Sequence, residues 1–156
     1  MKIMLKKTKI YLDTSVIGGC FDEEFSYWSQ LLLSNYQNKS FLLFISTLTK
    51  AEISDAPENV KELFFELVET GIEILHETEE TLELAEIYIN EKILRPNYRD
   101  DARHIAIATV YDMDVLVSWN FKHIVHYDKI RRFNAVNLRE GYKSIDIYSP
   151  REVAHE

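Results

Sequence analysis

Lys9-Ile10-Tyr11-Leu12-Asp13-Thr14-Ser15 decides how the chain is read: a short apolar run stops at a carboxylate, and two hydroxyl residues follow. Three other stretches repeat the association. Glu52 follows the run Phe41 to Ser46, Asp101 opens Ala102-Arg103-His104-Ile105-Ala106, and Asn120 follows Val115-Leu116-Val117-Ser118. In a parallel α/β sheet, loops leaving the carboxyl ends of the strands converge on one crevice, so residues distant in sequence meet there. Carboxylates gathered without a cysteine or histidine set suit hard, oxygen-seeking Mg²⁺ or Mn²⁺ better than zinc. Such an ion activates water and neutralises phosphate charge, so the pattern predicts a metal-dependent phosphodiesterase.

Outward from that stretch, β-rich runs alternate with helical patterns, which predicts βαβ units. The expected strands are Lys9 to Leu12, Phe41 to Ser46, Ile72 to Leu75, Val115 to Ser118 and Ser144 to Tyr148. Val60, Leu63, Phe64, Leu67 and Val68 recur at helical spacing over Asn59 to Glu69, and Gly71 ends that helix. A second helix is expected over Glu80 to Leu94, stopped by Arg95-Pro96-Asn97, and a buried one over Asp101 to Tyr111. The last long helix is expected from about His123 to Leu138. The fold class is therefore α/β, a single domain over 1–156 with its core at about 8–150: a parallel sheet of about five strands wrapped by helices. With 156 residues and 46% hydrophobic content, the chain fills one core.

Single Cys20 excludes an intramolecular disulfide, and no apolar run is long enough to span a bilayer. The chain reads as cytoplasmic, with no membrane partner. Lys2, Lys6, Lys7 and Lys9 form a basic leader without the apolar stretch of a secretion signal, and Met4 offers an alternative start. A net charge of -8 argues against broad nucleic-acid binding through overall electrostatics. Acid is concentrated between Ala51 and Glu91, where Lys61 is the one basic residue; this block reads as the wet faces of two helices, or as a homodimer or partner surface. Basic residues fall later, and a polyanion is expected to approach from their side.

The chain resembles the PIN domain, the fold of VapC-type toxin ribonucleases, on four pieces in order: Ile10 to Ser15, Ser46-Thr47-Leu48-Thr49-Lys50-Ala51-Glu52-Ile53, Asp101 to Ala108, and Asp114 to Asn120. The tail Ile145 to Val153 is similar to the strand and proline that close such domains. The resemblance implies Mg²⁺ or Mn²⁺ held by Asp13, Glu52 and Asp101, with Asn120 completing the catalytic set. RNA is the implied substrate, and a small antitoxin protein the implied partner of a toxin. Many PIN domains carry an aspartate where this chain has Asn120, so one charge is missing from the site. The reading is a metal-dependent endoribonuclease; the alternatives are a degenerate PIN domain that binds RNA or protein without cutting, and a haloacid-dehalogenase-type phosphatase. That phosphatase chemistry wants a second aspartate where Ser15 stands.

Residue by residue, plainer roles compete. Asp13 before Thr14-Ser15 can cap a helix, Asp100 reads as the N-cap of the helix carrying Asp101, and His104 reads as a satisfied core histidine. Ser15 is expected to hold a carboxylate or donate to a phosphate. Lys122, His126 and Lys129 are spaced to share one helix face and are the candidates for binding the RNA backbone, with Arg132 and Arg103 nearby. Trp119 reads either as a base-stacking ring or as part of the core.

Overall fold

A computed structural model describes residues 7–35 and 41–154, so the calls on Lys2, Met4 and Lys6 lie outside the described residues. The sheet is built from β1 (Thr8–Leu12), β2 (Phe41–Ser46), β3 (Glu73–Leu75), β4 (Val115–Val117) and β5 (Asp146–Tyr148). Its order is β3-β2-β1-β4-β5, and every pairing is parallel. The helices are α1 (Thr14–Gly19), α2 (Ser26–Asn35), α3 (Thr47–Ile53), α4 (Glu58–Glu69), α5 (Glu79–Asn90), α6 (Arg99–Val110), α7 (Tyr127–Arg139) and α8 (Pro150–Val153).

Period-2 alternation divides the strand side chains between two cores. Tyr11, Phe44 and Leu116, paired across the sheet, join the core under α5, α6 and α7. Ile10, Leu12, Leu43, Ile45 and Val117 point to the opposite core, shared with α1, α2 and α4. Both faces are covered, which explains why the central strands read as continuous apolar runs. The chain runs β1-β2-β3 in one direction and then crosses to β4 and β5 on the other side. The β1/β4 boundary is thus the topological switch point, where crevices open beyond the carboxyl ends of the strands.

Two helix boundaries differ from the expected ones. α5 ends at Asn90, because Lys92 adopts φ 61° and the Ile93 N–H turns back to the Tyr88 carbonyl at 3.1 Å. This Schellman closure folds Ile93 and Leu94 into the core instead of extending the helix. α7 begins at Tyr127, not near His123. Asn120 explains the delay: its side-chain Oδ1 accepts the His123 N–H, and its carbonyl accepts the N–H groups of Ile124 and Val125. The resulting turn buries Ile124 before the helix can start.

Candidate active site at the switch point

Asp13 directly follows β1, and its N–H donates to the Val117 carbonyl at 3.2 Å, tying it to the end of β4. It occupies the N-cap of α1, yet its side chain makes no capping bond. Oδ1 accepts from Ser15 Oγ at 2.6 Å and Oδ2 from Ser118 Oγ at 2.7 Å, at a position 4% exposed. Burial pushes this carboxyl above the ordinary aspartate range; the His104 charge and the two serine bonds oppose the rise, and the Glu52 charge adds to it. Ser15 Oγ also accepts the Trp119 N–H at 2.9 Å, so this hydroxyl is engaged in holding Asp13 against the β4 loop.

Glu52 is presented by α3, whose start is fixed by a capping box between Ser46 and Thr49. Its Oε1 accepts from Thr14 Oγ1 at 2.7 Å and lies 2.5 Å from His104 Nε2. On the far side of the imidazole, Nδ1 lies 2.6 Å from the Tyr11 hydroxyl, which in turn lies 2.7 Å from Ser46 Oγ. Burial pushes the Tyr11 phenol far up, so it keeps its proton. For Glu52, burial is the largest single influence and raises the carboxyl, but the His104 bond and charge, Thr14 and Arg103 together leave it below the usual range. For His104, burial pulls downward first; the Glu52 bond and the charges of Asp13, Glu52 and Asp101 outweigh it and raise the imidazole. A buried Ser46–Tyr11–His104–Glu52 chain therefore fixes the second carboxylate.

Asp101 lies in the first turn of α6, whose N-cap is Tyr98; Asp100 is not the cap and instead pairs with Arg103 at 2.9 Å. Burial, and then the Asp13 charge, lift Asp101 to about 6; His104 opposes this, Glu52 adds to it, and a hydrogen bond from Asn120 eases it. Asn120 is drawn to the same place, but its amide oxygen is committed to the His123 N–H at 2.9 Å. A cleft of about 330 Å³ lined by Ser15, Gly18, Phe25 and Asn120 adjoins the cluster.

The structure thus brings together Asp13, Glu52, Asp101 and Asn120, with Ser15 as the clamp on Asp13. Tyr11, Ser118 and the bridging role of His104 were not legible as parts of the site, although His104 stands three residues after Asp101 on one helix face. Lys122, His126 and Lys129 do not share a helix face: Lys122 lies in the turn before α7, and His126 is that helix's N-cap. Lys122 and Lys129 do line one cavity, together with Arg132. Arg103 pairs with Glu77. Trp119 is buried, stacked on Phe25 at 4.2 Å, and its indole N–H donates to Ser29 Oγ at 2.7 Å, so it belongs to the core.

Among the described residues, no three of the His, Cys, Asp and Glu side chains converge as they stand into a metal-holding group. The donor set nevertheless fits a hard divalent cation in kind. Its three carboxylates repel one another in a desolvated place, and each Asp13 oxygen accepts one hydrogen bond while keeping a second lone pair.

No protein-family model matches the chain, and no curated protein does. Solved structures do match. VapBC2 from Rickettsia felis, bound to a DNA fragment from its promoter, aligns with 91% of this chain and 98% of its own at 14% identity and a TM-score of 0.59. FitAcB from Neisseria gonorrhoeae aligns with 92% of this chain and 99% of its own at 16% identity and a TM-score of 0.56. VapC20 from Mycobacterium tuberculosis, a toxin that cleaves the sarcin-ricin loop, aligns with 88% of this chain and 98% of its own at 13% identity and a TM-score of 0.53. With an all-parallel five-stranded sheet in the order β3-β2-β1-β4-β5 and a matching architecture over most of its length, the chain has a PIN-like fold.

Proposed function

We propose that the chain is a metal-dependent endoribonuclease that hydrolyses RNA phosphodiester bonds, and that it serves as the toxin of a toxin–antitoxin pair. The observation that carries this reading is the mutual electrostatic coupling of Asp13, Glu52 and Asp101 beside the switch point, where burial and like charge lift Asp13 and Asp101 and make their charges costly without a cation. The sarcin-ricin cleavage by VapC20 and the likeness to VapBC2 and FitAcB support the substrate class and a small antitoxin partner. Mg²⁺ or Mn²⁺ held by Asp13, Glu52 and Asp101 would neutralise phosphate charge and lower the pKa of a bound water.

The chain's own groups orient the site. Ser15 and Ser118 hold the two Asp13 oxygens, and His104, itself braced by Tyr11, fixes Glu52. Asn120 places a neutral amide beside Asp101, which eases the rise of that carboxyl without adding a fourth negative charge. The first prediction is that Asp13→Asn and Asp101→Asn each lower Mn²⁺-dependent cleavage of a labelled RNA on the order of a hundredfold or more while the fold survives. Cleavage by purified protein with Mn²⁺ and with EDTA, beside thermal unfolding of each variant, is the measurement; wild-type rates in both folded variants would sink the assignment.

The commitment of the Asn120 oxygen to His123 favours one second reading, a PIN-like domain that binds RNA or protein without cutting. RNA binding by the wild type without cleavage in either metal would select it.

A further inference from the structure

Beside the carboxylate cluster lies a cavity of about 370 Å³, within the size range of small-ligand clefts, whose lining contains no carboxylate. Its charged wall is Lys92, Arg95, Lys122, Lys129 and Arg132, in a chain whose net charge is -8. Three other arginines are neutralised: Arg99 pairs with Glu86, Arg103 with Glu77 and Asp100, and Arg139 with Glu91 and Glu140. Among the described residues, none of the five cavity cations has a carboxylate partner. Lys129 Nζ and an Arg132 guanidinium nitrogen donate to the Ile93 and Glu91 carbonyls, each at 3.1 Å, which positions both charges without cancelling them.

The concentration of charge arises from the two boundaries that differ from expectation. Closing α5 at Lys92 swings Lys92 and Arg95 over the start of α7, and the Asn120 turn keeps Lys122 out of the helix and beside them. His123, on the same wall and packed against Tyr98 with the rings tilted and their centroids 3.8 Å apart, is held below the usual histidine range, first by burial and then by Lys122, Lys129 and His126. Its Nδ1 is buried without a hydrogen-bond partner. Tyr98 is also the N-cap of α6, one helical turn before Asp101, and the His123 N–H bonds Asn120. The cavity therefore adjoins the carboxylate cluster through two of its own wall residues.

We infer that this cavity seats a phosphate of the RNA strand other than the one being cut, giving an otherwise acidic protein a local anchor for a polyanion. The inference rests on the ribonuclease reading for its choice of strand. Guanidinium and ammonium donors without carboxylate competitors match a phosphate oxyanion, and its placement lets one strand occupy the cavity and reach the carboxylates. An internal phosphodiester and a free phosphate monoester share this chemistry, and the test separates them.

The test uses Asp101→Asn protein in EDTA, so that a labelled single-stranded RNA of mixed sequence is bound without being cut. Anisotropy titrations at several salt concentrations compare it with the same protein carrying Arg95→Ala and Lys122→Ala, two side chains without a hydrogen-bonding role in the fold. The expected result is a loss of affinity on the order of tenfold and a salt slope flatter by roughly 0.7 for the lost phosphate. Removing two cations elsewhere, Lys61→Ala with Lys143→Ala, should change affinity little. Inorganic phosphate and adenosine monophosphate are run as competitors. Displacement only by RNA assigns the cavity to an internal phosphodiester, and displacement by either small anion at low millimolar concentration assigns it to a phosphate monoester and overturns the strand assignment. Equal affinity and slope in the cavity variant, an equal loss in the control variant, or no binding by the parent protein would each overturn the inference. Cleavage by wild type with Mn²⁺, assayed in parallel, separates the two readings: cutting with an unaffected cavity variant leaves the nuclease and removes the anchor, while cavity-dependent binding without cutting does the reverse.

Discussion

Asp101 is the side chain whose environment leaves the clearest signature in solution. Its carboxyl is lifted from 3.8 to about 6, first by burial and then by Asp13. Between those values the native state holds a proton that the unfolded chain has lost, so its contribution falls as pH rises through about 6. Asp101→Asn removes that penalty. In EDTA the variant should melt above wild type at pH 7 to 8, with the difference shrinking toward pH 4, and a constant difference across the range would contradict the assigned environment. Asn120→Asp makes the opposite change, since a fourth carboxylate adds like charge beside Asp101 while its oxygen can still accept the His123 N–H. The metal-free melting temperature should fall and the Mn²⁺-induced rise should grow, both read from melts with and without the ion.

Two adjacent glycines of α1 show how an element holds the site in place. A Cβ on Gly18 meets nothing within 4 Å, whereas one on Gly19 would lie 2.7 Å from Trp119 Nε1 and 2.8 Å from Ser29 Oγ. Gly18→Ala should therefore stabilise the protein by up to about 1 kcal/mol through helix propensity. Gly19→Ala gains the same propensity but must displace a buried indole, a strain of about 1–3 kcal/mol that outweighs it. Paired melts should show opposite signs, and Trp119 emission should shift only in Gly19→Ala. Because the Trp119 N–H donates to Ser15 Oγ, that displacement should also loosen the clamp on Asp13 and slow cleavage. The end of α5 and the start of α7 belong to the same scale. Periodicity extended both helices too far because Ile93, Leu94 and Ile124 are apolar whether they continue a helix or close a turn.

Across the whole molecule, the acidic block between Ala51 and Glu91 is not merely a wet surface. Glu77, Glu86 and Glu91 draw Arg103, Arg99 and Arg139 into ion pairs. The two exposed pairs, Arg99 with Glu86 and Arg139 with Glu91, contribute little stability, but all three remove cations from the field that an RNA strand meets. The cost of uncompensated carboxylates at the switch point gives the last prediction. A divalent ion that binds only the native state raises stability by about 2.7 kcal/mol at a hundred times its dissociation constant, roughly 5–10 °C in a chain of this size. Mn²⁺ should raise the melting temperature of wild type and raise that of Asp13→Asn less. No shift up to tens of millimolar would favour binding without catalysis.

The sequence by itself determined the α/β class, the five strands in order and the placement of Asp13, Glu52, Asp101 and Asn120 at strand and helix ends. Strand periodicity and the punctuation by glycine and proline are local properties of the chain, so they can be read locally. Only the tertiary structure decided which charges remain unpaired, that Ser118 and Ser15 share Asp13, and that His104 spans from Tyr11 to Glu52. Those bonds join residues up to 105 positions apart, and whether a side chain caps a helix, braces a carboxylate or meets solvent depends on which strands lie side by side. In this chain that depends on the crossover that sets β4 against β1.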